Sequence, residues 1–153
     1  TEMRRRGQDP TAKLALTPNM NYLNAPPDEQ LNLLYNAVDV GINTADGEGW
    51  GLVPFEHAQT RKAQVVPNHT SSADIWKNNA ELIDVGAWIS DKDLGVERGL
   101  IDYKHAAELL NKLYESEEYR KEVADKCYEV TQNPSYRWDK VAEGFCKAME
   151  VLK

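Results

Sequence analysis

Apolar positions along the chain follow two rhythms, one of period near 3.6 and one of short continuous runs, and their alternation predicts the elements. Leu31, Leu34, Tyr35 and Val38 recur at i, i+3, i+4 and i+7, the spacing of one helix face laid on a sheet. Ahead of them Pro26-Pro27-Asp28-Glu29 places prolines at the entrance and acids in the first turn, a helix start. The apolar run from Val38 to Asn43 predicts a buried strand over Val40 to Asn43. A glycine-rich turn and a short helix from about Val53 to Thr60 follow. Gln64 to Pro67 is the next strand, Thr70-Ser71-Ser72 supplies capping hydroxyls for a brief helix through Trp76, and a strand is expected over Glu81 to Val85. The stretch from Gly86 to Gly99, rich in Asp and Gly, is expected to be loop. Asp102 caps a helix carrying Ala106, Leu109, Leu110 and Leu113 on one face. A second helix runs from about Glu117 to Gln132 and is ended by Asn133-Pro134. The last, Trp138 to Leu152, presents Trp138, Val141, Phe145 and Ala148 as a stripe. Strands alternating with helices predict an α/β fold with a parallel sheet and flanking helices.

Upstream of these elements, residues 1–12 are polar and without period, with Arg4-Arg5-Arg6 at their centre, and read as a tail or loop. Lys13 to Thr17 is a short apolar run and a plausible strand, stopped by Pro18 and Asn19. The expected organisation is therefore a tail, 1–12, and a partial domain, 13–153. With 153 residues the chain can bury one core, and 41% hydrophobic with 28% charged residues is ordinary for a globular protein.

Net charge narrows the partners. At -7 the chain disfavours nucleic acid or an anionic membrane surface, since either needs a basic face. No apolar run approaches a membrane span and no secretory pattern opens the sequence. Cys127 and Cys146 both fall inside predicted helices without metal-ligand spacing. They read as buried thiols in a reducing, cytoplasmic setting, with a disulfide left as an alternative.

The candidate chemistry lies in Ala45-Asp46-Gly47-Glu48-Gly49-Trp50-Gly51-Leu52-Val53-Pro54-Phe55-Glu56, between the predicted strand and helix. A loop in that position aims backbone N–H groups and the positive end of a helix at whatever lies above the strand's carboxyl end, which suits an anion such as a diphosphate. Gly47, Gly49 and Gly51 allow tight turning and close approach, and Pro54 fits a first helical turn. Glu48 and Glu56, separated by seven residues, are carboxylates able to accept paired hydrogen bonds from neighbouring hydroxyls. Both also admit a plainer reading, Glu48 as a solvated loop charge and Glu56 as a complement to the helix N-terminus. Trp50 can either stack on a sugar or plug the loop against the core. Trp76, Trp88 and Trp138 read as packing anchors. His57, His69 and His105 are scattered and read as surface or packing residues, His57 alone being placed next to the ligand end of the helix.

Tyr35-Asn36-Ala37-Val38-Asp39-Val40-Gly41-Ile42-Asn43-Thr44, then Gly47-Glu48-Gly49-Trp50-Gly51-Leu52 and Pro54-Phe55-Glu56-His57-Ala58, resemble the donor-binding half of the GT-B glycosyltransferases. More narrowly they are similar to the retaining family 4, whose signature is two glutamates seven residues apart. The resemblance extends through Ala63-Gln64-Val65-Val66-Pro67-Asn68 and, more loosely, from Gly99-Leu100-Ile101-Asp102 to Arg137-Trp138-Asp139. It implies a Rossmann-like, C-terminal GT-B domain, lacking its early strands, in a hexosyltransferase that passes a sugar from a nucleotide diphosphate sugar to an acceptor hydroxyl on a sugar, lipid or protein. It assigns Glu48 to the donor sugar near the reacting carbon, as the catalytic candidate, and Glu56 to the ribose hydroxyls. Gly47 and the backbone of Gly49, Trp50, Gly51 and Leu52 would line the sugar and diphosphate, with the base near Asn19 to Leu23. No cofactor and no metal are expected, in keeping with the lack of an Asp-x-Asp pair in a loop.

The departures from that family are specific. The Gly-Arg and Lys-Gly pair that grips the diphosphate is not found, since Arg4, Arg5 and Arg6 precede the wrong element. Arg61-Lys62 stands where a glycine usually follows the motif helix, so that helix has to end without a residue that enters the left-handed region freely. A parallel sheet without its early strands would expose an apolar edge, so a missing N-terminal GT-B domain, in cis or trans, is an expected partner and the chain alone is expected to be inactive. Two other functions remain open: a non-catalytic nucleotide-sugar-binding module acting with another chain, and a different GT-B enzyme such as a sugar-nucleotide epimerase or phosphorylase.

Overall fold

The structure, a computed structural model, describes residues 26–93 and 95–151. The expected strand at Lys13 to Thr17, the loop from Asn19, the base-binding stretch and the arginine triplet lie outside the described residues. Contacts divide the chain into two units, Thr1–Leu31 and Asn32–Lys153. Nearly all that is described belongs to the second.

Helix α1 (Asp28–Ala37) begins where its two acids predict, and β1 (Val40–Ile42) follows after a short break. Then come α2 (Leu52–Ala58), β2 (Ala63–Pro67), α3 (Thr70–Trp76) and β3 (Glu81–Ile83). Strands β1, β2 and β3 form one parallel sheet in that order, with Val40 opposite Ala63 and Val65 opposite Glu81. Each crossover carries a helix, as parallel neighbours require. The chain is thus α/β, with a three-stranded parallel sheet flanked by helices. All five residues of β2 are buried, the pattern of a central strand covered on both faces.

The core forms where α2, α3, α4 (Tyr103–Glu115) and α5 (Glu117–Thr131) pack on this sheet. It contains Val65, Val66 and Ile83 from the strands, Ala58 from α2, Ile75 and Trp76 from α3, Leu109 and Leu113 from α4, and Val123 and Cys127 from α5. Asp102 caps α4 as predicted, its Oδ1 accepting from the N–H groups of Lys104 (2.8 Å) and His105 (3.3 Å). Gly41 of β1 is demanded by close approach, because a Cβ there would overlap Gln64 Oε1 and His57 Nδ1.

Several expectations are corrected. The segment Gly86 to Gly99 is not loop but the body of an antiparallel hairpin, β4 (Val85–Asp91) and β5 (Val96–Ile101), with Trp88 opposite Gly99 and Ile89 opposite Arg98. Its Asp and Gly residues concentrate in the turn, where Asp91 Oδ1 accepts from Asp93 N–H and Gly95 is left-handed (φ 65°). The β-formers Trp88, Ile89, Leu100 and Ile101 lie on the arms. Cys146 is exposed on α6 (Trp138–Val151), and both cysteines are free thiols, so only Cys127 matches the buried-thiol reading. Burial pushes the Cys127 thiol up to about 12.

Trp76 is fully buried, but Trp88 and Trp138 are 55% and 86% exposed, and Trp88 meets the His69 ring edge-on at 5.7 Å rather than entering the core. The stripe on α6 is present in the sequence, yet no residue of that helix is buried. Nor does α1 bury a residue, although Leu34, Tyr35 and Val38 face β1 across a cavity.

Candidate functional site

The loop between β1 and α2 is built from the carboxyl end of the first described strand. Asn43 continues β1, its N–H donating to the Val65 carbonyl (2.9 Å), and its side chain does two things at once. Its Oδ1 accepts from Ala45 N–H (2.8 Å), turning the chain, while its Nδ2 donates to Glu48 Oε1 (3.0 Å) and orients that carboxylate. Gly51 closes the loop as the N-cap of α2 in the left-handed conformation (φ 82°), which glycine enters without a steric penalty. A Cβ there would lie 3.3 Å from Pro54 Cγ and 3.9 Å from the Glu48 carboxyl carbon, which places Glu48 beside the mouth of α2. Of the three loop glycines only Gly51 has a positive φ. Gly47 and Gly49 have open space where a Cβ would project.

Glu56 is the fifth of the seven residues of α2, so it does not complement that helix's N-terminus, whose first turn carries no acid. Instead its Oε2 accepts from the Tyr35 hydroxyl (3.2 Å). Burial, and then the Glu56 charge and hydrogen bond, push the Tyr35 phenol up to about 12, so the hydroxyl remains a donor to Glu56 throughout the neutral range. His57, one residue on, is buried and stacked on the Tyr35 ring at 5.1 Å. Its Nε2–H donates to the Tyr35 carbonyl (3.1 Å), and burial holds its pKa below the ordinary histidine value. It is a packing residue, not a free base.

Trp50 takes the packing role of its two readings. Its ring lies 4.9 Å from Tyr136 in an edge-on arrangement and 5.3 Å from Phe55, against the core. The backbone of Gly49, Trp50, Gly51 and Leu52 still forms the approach to α2.

A cavity of about 270 Å³ runs along β1 from Val40 to Asn43, lined also by residues of α1 and α2. Neither Glu48 nor Glu56 lines it, but the residues that hold them do: Asn43 for the first and Tyr35 for the second. A larger cavity, about 490 Å³, is lined by Asp39, Leu110, Tyr114 and Arg120, and contains none of the loop residues.

Compared with models of known protein families and with curated proteins, the chain matches none.

Four contacts at the loop had no signal in the sequence. Thr70 Oγ1 accepts from Glu48 N–H (3.2 Å), and Ser71 Oγ donates to the Glu48 carbonyl (2.9 Å). Thr70-Ser71-Ser72 was expected to cap α3, but His69 holds the N-cap position and makes no side-chain cap. Gly99 N–H donates to the Asp46 carbonyl (3.0 Å), and Arg98 bridges Asp46 (3.0 Å) and Asp91 (3.1 Å), so β5 holds the loop's upstream half. Asp46, read as a turn residue, is thus also an ion-pair partner.

Arg61 supplies the conformation expected of a glycine. It is left-handed (φ 56°), donates its N–H to the Ala58 carbonyl (3.0 Å), and is held by an ion pair to Asp125 (2.6 Å) and by the Tyr128 ring 3.9 Å below its guanidinium. Among the described residues no cluster of His, Cys, Asp and Glu could hold a metal ion, and no helix is long and apolar enough to cross a membrane.

Proposed function

We propose that the chain is the donor-binding portion of a retaining glycosyltransferase of the GT-B type. On this reading it takes a nucleotide diphosphate sugar in the cytoplasm and passes the sugar to an acceptor hydroxyl. What supports it above all is one arrangement: a glycine loop at the carboxyl end of a parallel strand, with Glu48 fixed by Asn43 at the mouth of α2, and Glu56 fixed by Tyr35 on the same helix. Ligands of open α/β sheets bind outside the carboxyl ends of the strands, and the cavity along β1 reaches Asn43 at that end.

In the mechanism that follows, the backbone from Gly49 to Leu52 and the positive end of α2 stabilise charge growing on the leaving diphosphate. Glu48 accepts from hydroxyls of the donor sugar, and Glu56 from the ribose hydroxyls. Tyr35, donating to Glu56, holds that carboxylate ready without competing for protons. Transfer needs an acceptor held against the sugar carbon, a task for a second domain or a partner chain.

A second reading, a donor-binding module that works only with a partner chain, draws support from surfaces left uncovered. Trp138, Phe145 and Met149 of α6 are exposed, and among the described residues β1 pairs with β2 alone.

Calorimetric titration of the wild type and Glu56→Ala with uridine and guanosine diphosphates tests the donor reading. Losing paired bonds to a carboxylate is expected to weaken nucleotide binding by roughly tenfold or more. Equal affinities for the two proteins would count against it.

A further inference from the structure

We propose that Thr70 and Ser71 are positioning residues that set the main chain of the glycine loop, and with it the aim of Glu48. This rests on the donor-binding reading for its functional consequence, though not for its geometry. Glu48 sits between Gly47 and Gly49, neither of which has protein atoms within 4 Å of where a Cβ would be. Neither flanking residue has a side chain that could pin the centre of the loop. Its backbone is gripped on both polar groups from α3 instead, Thr70 Oγ1 receiving the Glu48 N–H and Ser71 Oγ donating to the Glu48 carbonyl. Both partners come from adjacent residues at the start of one helix, so they move as one body.

The conformation needed for this grip is unfavourable. Thr70 is left-handed (φ 51°), a region that a β-branched residue seldom enters. The preceding residue, His69, is buried with neither ring nitrogen hydrogen-bonded. Strain of this kind persists only where the surroundings over-determine it, and it concentrates at functional positions. What the bend at His69–Thr70 achieves is to turn the Thr70 hydroxyl onto Glu48.

Three variants of the full chain separate this positioning role from a structural one. Thr70→Gly relieves the left-handed strain and removes the hydroxyl, Thr70→Ser keeps the hydroxyl, and Ser71→Ala removes the second grip. Amide hydrogen exchange at Glu48 and titration with uridine and guanosine diphosphates are read together with the melting midpoint. Thr70→Gly is expected to hold or raise the midpoint, yet to speed Glu48 amide exchange and weaken nucleotide binding by about fivefold, the worth of one hydrogen bond. Thr70→Ser is expected to restore both, and Ser71→Ala to reproduce a smaller loss. A Glu48 amide that exchanges in Thr70→Gly at the wild-type rate would overturn the proposal. A wild type that binds neither nucleotide would instead count against the donor reading, while the exchange comparison still decides the grip.

Discussion

His57 shows how much a single position on α2 is asked to do. Its ring is 4% exposed, fills the space left by Gly41, stacks on Tyr35 and donates to the Tyr35 carbonyl. Burial holds its pKa below the ordinary 6.5, so the unfolded chain binds the proton more readily than the folded one. The stability this contributes is fully present above pH 6.5 and is lost as pH falls through the lower, folded-state value. Urea unfolding of the wild type and His57→Gln from about pH 7.5 to about pH 5, across the ordinary histidine value, is expected to show a shallower acid-side decline in the variant. Parallel pH profiles would contradict it. None of this was visible from the spacing of the histidines, which shows where His57 lies on the helix but not that Gly41 makes room for it.

At the scale of elements, the glycine loop is shaped less by its own residues than by its neighbours. Asn43 from the end of β1, Thr70 and Ser71 from α3, and Gly99 and Arg98 from β5 supply its partners. The β4–β5 hairpin owes part of its placement to Asp102, which ends β5 and begins α4 together. Asp102 N–H donates to the Asp84 carbonyl (2.7 Å), and its carboxylate caps α4. The two backbone N–H groups hold that carboxyl below the usual carboxylate range. A depressed carboxyl pKa contributes stability above its unfolded value and loses it as pH falls further. Asp102→Ala is therefore expected to lower the thermal midpoint at pH 7, with a smaller gap to the wild type at about pH 3, below the ordinary carboxylate value. Differential scanning calorimetry at the two pH values checks this.

The elements most legible in the sequence were those with local cause. The caps and periods of α1, α4 and α5 and the run at β2 lie within two residues of where pattern placed them. The hairpin was missed because its Asp and Gly residues, counted over the whole segment, hid two short β-forming arms.

For the molecule as a whole, two tryptophans mark the contrast between what is covered and what is not. Trp76 is fully buried beside Ile75, Ile83 and Phe55, so Trp76→Ala is expected to cost about 3–5 kcal/mol in urea unfolding. Trp138→Ala is expected to stay within about 0.5 kcal/mol in the same measurement, since its ring is 86% exposed. A large loss on Trp138→Ala would mean that α6 is covered in solution by something beyond the described residues. The exposed stripe on α6 agrees with the proposal that a second domain or partner completes the protein.

Local chemistry in the sequence by itself determined the alternation of strand and helix, the glycine turn ahead of a short helix, and the two glutamates seven residues apart. Each depends on backbone propensity and period, which act over a few residues. Only the tertiary structure decided which side chains hold Glu48 and Glu56, that Thr70 and Ser71 serve the loop rather than cap their own helix, and that Trp50 packs inward. Several of those contacts join residues more than twenty positions apart, such as Glu48 with Thr70 and Tyr35 with Glu56. Such pairings exist only once the sheet has brought the ends of its strands together.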